Sequence, residues 1–246
     1  MSKRDRDELV HRDCPSPNWN ERALPISMVV LHYTGMESAE AALARLTDPA
    51  AQVSAHYLID EDGTVTRLVA EDKRAWHAGK AYWRGITDVN SASIGIELVN
   101  PGHELGYRPF TDEQMSSLAP LLAVIMRRHR IDPSMVLGHS DVAPQRKQDP
   151  GELFDWEMLS SLGLALQTPR PRIRLLHENP GAFYLALERF GYDIADGHAA
   201  VAAFERRWRP RRIGGEVDGE LGALLFELLI RGDIAQRRQE PGADPC

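Results

Sequence analysis

Cysteine is nearly absent from this chain. Only Cys14 and Cys246 occur in 246 residues, one near each end, and two such thiols make no disulfide framework. A reducing compartment is therefore expected. Long apolar runs are missing as well. No stretch approaches the ~20 apolar residues of a membrane span, and residues 1–13 (MSKRDRDELVHRD) are charged throughout, without the apolar core of an export signal. The expectation is a cytoplasmic protein that makes no membrane contact. A basic excess is also lacking: 29 Lys and Arg stand against 36 Asp and Glu, a net charge of −7. That balance argues against a general nucleic-acid binder, which needs a basic surface to replace phosphate counterions. What remains, 43% hydrophobic and 26% charged residues, is the composition of an ordinary globular protein. The length allows one large domain or two with separate cores; oligomeric state is not legible.

Residues 1–25 are polar and proline-bearing and read as an entry segment. Residues 26–32 (ISMVVLH) form a short apolar run without helical period, which fits a buried strand. Ala39, Ala42, Leu43 and Leu46 then fall at helical spacing. Residues 54–59 and 64–69 flank Asp62-Gly63, a hairpin signal, and 93–99 (SIGIELV) reads as another buried strand. Thr111 with Gln114 is a capping-box signature opening a long amphipathic helix through Met115, Leu118, Leu122 and Ile125. Residues 135–138 form a short strand before His139. Strands and helices alternate without strict βαβ repetition, so an α/β domain with a mixed central sheet and flanking helices is expected over 26–166. Residues 167–178 read as a proline- and arginine-rich linker. A small three-helix domain is expected over 179–235, with a tail at 236–246. Its first helix starts at Asn179-Pro180 and stops at Gly191. The second presents Val201, Phe204 and Trp208, and the third opens at Asp218 with Leu221, Leu224, Leu225 and Leu228 on one face.

Chemistry concentrates in a few positions. His32 and His139 each end an apolar strand pattern, and Asp149 follows ten residues after His139 in QRKQDPG. Two imidazoles and a carboxylate, with a fourth position left to water, are a usual catalytic zinc set. The spacing alone equally fits a histidine capping a strand end and an aspartate starting a turn before Pro150. Glu97 sits in an otherwise apolar strand, on the face opposite Ile94, Ile96 and Leu98. Facing a cleft it would be a desolvated general base; at an edge it would be solvated. Lys147, two residues before Asp149, reads by itself as a solvated loop lysine; beside a metal ligand it would hold charge on a carbonyl oxygen.

The segments VVLHYTG, VSAHYLID, WHAG, NSASIGIELVN and GHSDVAPQRKQDPG resemble, in order across roughly residues 20–165, the zinc-dependent N-acetylmuramoyl-L-alanine amidases of the Amidase-2 type, relatives of peptidoglycan-recognition proteins. The resemblance implies that His32, His139 and Asp149 bind Zn2+, that Glu97 is the catalytic acid/base and that Lys147 stabilises the oxyanion. It implies a hydrolase acting on peptidoglycan or (anhydro)muropeptides in cell-wall turnover and recycling. Tyr33, Trp76, His77 and Asn90 fall in segments that line the family's groove and are candidate substrate contacts; Tyr33 reads alternatively as orienting a zinc-bound water or Glu97 or as a half-buried strand tyrosine, and His77 and Asn90 as holding their loops by hydrogen bonds. His56 reads as a core or supporting histidine, and His11, His103, His129, His177 and His198 as surface residues. The C-terminal part resembles the three-helix peptidoglycan-binding domain found beside such amidases. It departs from the usual pattern at Glu205, where glutamine is common, and at Leu221, where threonine is common. Its five arginines between Arg206 and Arg212 read as a solvated helix end or as a hold on acidic peptide stems. Two other readings compete: a non-catalytic peptidoglycan sensor, of the kind that has lost a metal ligand, and a two-carboxylate glycosidase, for which Glu97 has no evident partner.

Overall fold

The computed structural model describes residues 9–171 and 179–239. The first eight residues of the expected entry segment, residues 172–178 of the expected linker with His177, and residues 240–246 with Cys246 lie outside the described residues. Two short strands come first, β1 (Arg12–Asp13) and β2 (Trp19–Glu21), then β3 (Met28–Tyr33) and helix α1 (Ala39–Thr47). Strands β4 (Tyr57–Ile59), β5 (Val65–Arg67) and β6 (Lys73–Ala75) lead to helix α2 (Val89–Ala92) and strand β7 (Ser93–Leu98). After them come α3 (Gly102–Leu105), the long α4 (Asp112–His129), β8 (Val136–Gly138), α5 (His139–Val142) and α6 (Trp156–Ser161). Helices α7 (Pro180–Phe190), α8 (Gly197–Trp208) and α9 (Gly219–Gln239) form the C-terminal part.

The sheet order is β1-β5-β4-β7-β3-β8. It is mixed: β3 runs parallel to both β7 and β8, β4 runs parallel to β7, and β4 and β5 form the expected antiparallel hairpin. The central strands are covered on both faces, which is why 26–32 and 93–99 read as nearly unbroken apolar runs. Val29, Leu31, Ile94, Ile96 and Leu98 pack with Met115, Leu118, Leu122 and Ile125 of α4. Met28 and Val30 belong to the opposite cluster, with Trp83, Leu137 and residues of all three C-terminal helices, among them Phe183, Phe204 and Leu224.

The local signals hold at the helix ends. Thr111 and Gln114 close the capping box of α4, Asn179 caps α7 with Pro180 in its first turn, and Asp218 accepts from the amides of Glu220 and Leu221 at the start of α9. Two expectations change. The stretch 9–25 is built into the fold, with β1 pairing to β5 and β2 to β6, while buried Asn18 donates to the carbonyls of Asp48 and Val53. Such short, exposed strands carry no periodicity to read. Helix α9 also runs through Gln239, past the expected end at 235. The division at 167–178 into two domains remains a proposal; the hydrophobic cluster that includes Met28 and Trp83 runs across it. Among the described residues no helix is long and apolar enough to cross a membrane.

Candidate metal centre and its cleft

Sheet register assembles the site. In the parallel β3–β7 pair His32 stands opposite Glu97, and in the β3–β8 pair Leu31 stands opposite Gly138, so His139 follows at the carboxyl end of β8. Residues at matched register of a parallel pair face the same side. The His32 Nδ1 lies 2.9 Å from the His139 Nδ1, and each is 3.0 Å from the Asp149 Oδ2. All three residues are buried. A tetrahedral ion with bonds of about 2.0–2.1 Å needs donors about 3.3 Å apart, and these three converge to nearly that spacing. Two imidazole nitrogens and a carboxylate oxygen from separate segments fit a metal ion.

Hydrogen bonds behind the triad decide which nitrogen faces it. Ser93 Oγ donates to the Val89 carbonyl, so it accepts from His77 Nε2 at 3.1 Å. The remaining His77 Nδ1 accepts from His32 Nε2 at 3.0 Å, which leaves the His32 Nδ1 lone pair for a cation. His139 is set the same way, with Nε2 against the Ala78 carbonyl at 3.1 Å. Orienting partners of this kind fix ligand tautomers and raise ligand basicity. Burial, with His139 adding to it, pushes His32 down to about 4, so the ring is neutral near pH 7. Burial alone would raise Asp149, yet His139 and His32 hold its carboxyl below the usual range.

Glu97 belongs to the central strand β7 and not to an edge. Burial, then the Asp149 charge, pushes its carboxyl well above the ordinary value, with Lys147 opposing. Its Oε2 is shielded from solvent and has no hydrogen-bond partner among the described residues. These groups line a cleft of about 170 Å³ with His32, Tyr33, Trp76, His77, Glu97, His139, Lys147 and Asp149 in its wall. A larger cavity of about 470 Å³, beside Glu71 and Arg128, is lined by none of them.

Some sequence expectations shift. Asn90 does not line the cleft; it is buried, and its Oδ1 accepts from the amides of His77 and Ala78. Those bonds are the loop-holding alternative, and a substrate contact for Asn90 remains a proposal. Tyr33 lines the cleft, but its hydroxyl pairs with His103 Nδ1 at 2.9 Å and is not aimed at Glu97. His103 and His129, expected on the surface, are partly buried and paired with Glu152 and Glu71. His11 and His198 are exposed, and His56 is a core histidine whose Nδ1 accepts from Gly95 N. Ser93, which orients His77, was not singled out in the sequence. The signal was present: small Ser93 and Gly95 alternate with Ile94 and Ile96, marking a face where something must approach closely.

Gly95 shows how closely. A Cβ there would lie 2.4 Å from the His77 ring. Gly95→Ala should displace His77, free the His32 tautomer and weaken metal binding by about 10–100-fold, the usual cost of losing an orienting partner. Chelator competition would measure it, and unchanged affinity would remove His77 from the assembly.

The chain is similar to known proteins in sequence and fold. Residues 22–152 match the Amidase_2 family, described as N-acetylmuramoyl-L-alanine amidase. The chain is 35% identical over 238 residues to the N-acetylmuramoyl-L-alanine amidase AmiD of Escherichia coli, covering 83% of this chain and 82% of that protein. It is 35% identical over 166 residues to the 1,6-anhydro-N-acetylmuramyl-L-alanine amidase AmpD of Haemophilus influenzae, covering 59% of this chain and 88% of that one. A solved structure of E. coli AmiD, in complex with anhydro-N-acetylmuramic acid-L-Ala-D-γ-Glu-L-Lys, superposes with a TM-score of 0.76 at 33% identity, over 86% of this chain and 92% of that one.

Proposed function

Since the chain belongs to the Amidase_2 family of N-acetylmuramoyl-L-alanine amidases, we propose that it carries out this hydrolysis with zinc on soluble anhydro-muropeptides during wall recycling. The enzyme is an N-acetylmuramoyl-L-alanine amidase, cutting the amide between the muramic lactyl group and L-alanine. The observation that carries the mechanism is the convergence of His32 Nδ1, His139 Nδ1 and Asp149 Oδ2 beside an unpartnered Glu97 oxygen.

His32, His139 and Asp149 would hold the zinc, which when bound supplies Lewis acidity and activates water near neutral pH. Glu97 takes the proton of the attacking water and passes it to the leaving nitrogen of L-alanine. Half-buried in the cleft wall with its Oε2 shielded from solvent, it suits that duty, because a carboxyl with a raised pKa both accepts and returns a proton. Lys147, in the cleft wall, balances charge on the carbonyl oxygen; loss of such a donor costs about 10²–10³ in rate. Trp76 and His77 border the same cleft, and Trp76 is fixed by its Nε1 donating to Asn20 Oδ1 at 2.7 Å. The sensor reading is disfavoured because the ligand types and the base all meet in one cleft.

Purified protein should contain one zinc per chain and release the free peptide from anhydro-muropeptides faster than from intact sacculi. Absence of metal would overturn the zinc assignment. Preference for sacculi would overturn the recycling substrate while keeping the bond cut. The cytoplasmic location expected above remains a proposal, tested by cell fractionation and blotting.

A further inference from the structure

The ligand His139 is the first residue of α5, a helix of four residues. One turn cannot hold itself in water, because nucleation fixes several dihedrals for a single hydrogen bond. Something outside it must hold its position. Part of the answer is local: Ser140 N donates to the Asp149 carbonyl at 2.8 Å and Tyr82 N to the Val142 carbonyl at 2.8 Å. The rest runs through Asp141, whose Oδ2 accepts from Gly138 N at 2.8 Å and so caps the turn from within.

The Asp141 side chain is 1% exposed. A carboxylate buried to that degree costs several kcal/mol unless it is paired and hydrogen-bonded. Its partners come from the C-terminal helices. The Tyr192 hydroxyl, just past α7, donates to Oδ1, and Arg207 Nη1 of α8 donates to Oδ2 at 3.1 Å. Arg207 is itself 5% exposed, and its guanidinium lies 3.7 Å from the Trp156 ring centroid and 4.8 Å from that of Trp208. Tyr192 is fully buried against Trp83, with centroids 5.1 Å apart. The arginine cluster, read from the sequence as a solvated helix end or a hold on acidic stems, is therefore turned partly inward. Arg209 likewise pairs with buried Glu205, whose carboxylate also accepts from the amides of Gly214 and Gly215.

We propose that Tyr192 and Arg207 are positioning residues for the metal centre, through which the C-terminal helices clamp Asp141 and hold His139 in ligand geometry. This rests on the assignment of His32, His139 and Asp149 as the metal ligands. With the clamp intact, α5 has one position. With it opened, Asp141 is left buried and underpaired, and the turn shifts to rehydrate it, moving the His139 Nδ1 off the point where the three donors meet. The helices then serve the chemistry from behind the site, whatever else they bind.

The test is zinc affinity measured by chelator competition, beside the melting temperature of the metal-free protein. Tyr192→Phe keeps the ring and deletes one hydroxyl; Arg207→Met keeps the length and deletes the charge. Both should bind zinc about 10–100-fold more weakly than wild type, as loss of a supporting group around a metal site does, and Arg207→Lys should recover part of the loss. Leu225→Ala, a cavity in the same helices at a residue 1% exposed, should lower the melting temperature and leave zinc affinity unchanged. Wild-type affinity in Tyr192→Phe and Arg207→Met overturns the clamp, and so does an equal loss in Leu225→Ala. A wild-type protein that binds no zinc instead overturns the ligand assignment on which the clamp rests.

Discussion

His139→Ala is expected to lose both its metal and its turnover. The substitution removes one of three converging donors, leaving His32 Nδ1 and Asp149 Oδ2, and two protein ligands rarely retain a catalytic dication. The loss of affinity should exceed the roughly 10–100-fold attached to a supporting group. Turnover should fall by more than the ~10²–10³ that one oxyanion donor contributes, because water activation goes with the metal. The fold should survive, since His139 lies at the cleft end of the sheet, outside the three hydrophobic clusters of the described residues. Metal content, turnover and circular dichroism on one preparation check this. Full zinc occupancy in a folded His139→Ala would sink the ligand assignment.

The second large effect is that of Glu97→Gln, which should keep the metal while turnover drops by about 10²–10⁴, the range for a positioned general base. It should also make the metal-free protein more stable at neutral pH. Glu97 has its folded pKa raised, by burial first and the Asp149 charge second. A carboxyl of this kind favours the folded state while protonated; the contribution is full below its unfolded value of about 4.3 and is lost as pH climbs toward the raised value. Glutamine is neutral throughout and avoids the loss. The melting temperature of the metal-free wild type should therefore fall relative to that of Glu97→Gln as pH rises above about 4.3, the unfolded value. Parallel curves, or near-normal turnover, would contradict the buried-base assignment.

Much of this was legible in the sequence where one residue governs one local event. Asn179-Pro180 and Thr111 with Gln114 start helices because their side chains meet free amides three residues away, and no distant contact is needed. His32, Glu97, His139, Lys147 and Asp149 could be named as candidates by resemblance, each inside a motif, and all five line one cleft. What escaped is made by pairing across distance. Tyr192 meets Asp141 from 51 residues away and Arg207 from 66, and neither local pattern nor composition announces such a partner. Ser93 hid for a related reason: its duty toward His77 exists only once the loop has folded over β7.

The matched register of His32 and Glu97 on adjacent strands has a consequence for how such an enzyme can change. Neighbouring strands sit about 4.8 Å apart by virtue of the backbone ladder alone, so the interval between the His32 and Glu97 backbones is inherited from main-chain pairing. The Trp76 side chain can then be exchanged without moving those two strands, whereas the backbone at its neighbour His77, which Asn90 holds against His32, has to stay in place. A library aimed at new substrates would do well to randomise rim positions other than His77, His139, Lys147 and Asp149 and to leave β3 and β7 untouched.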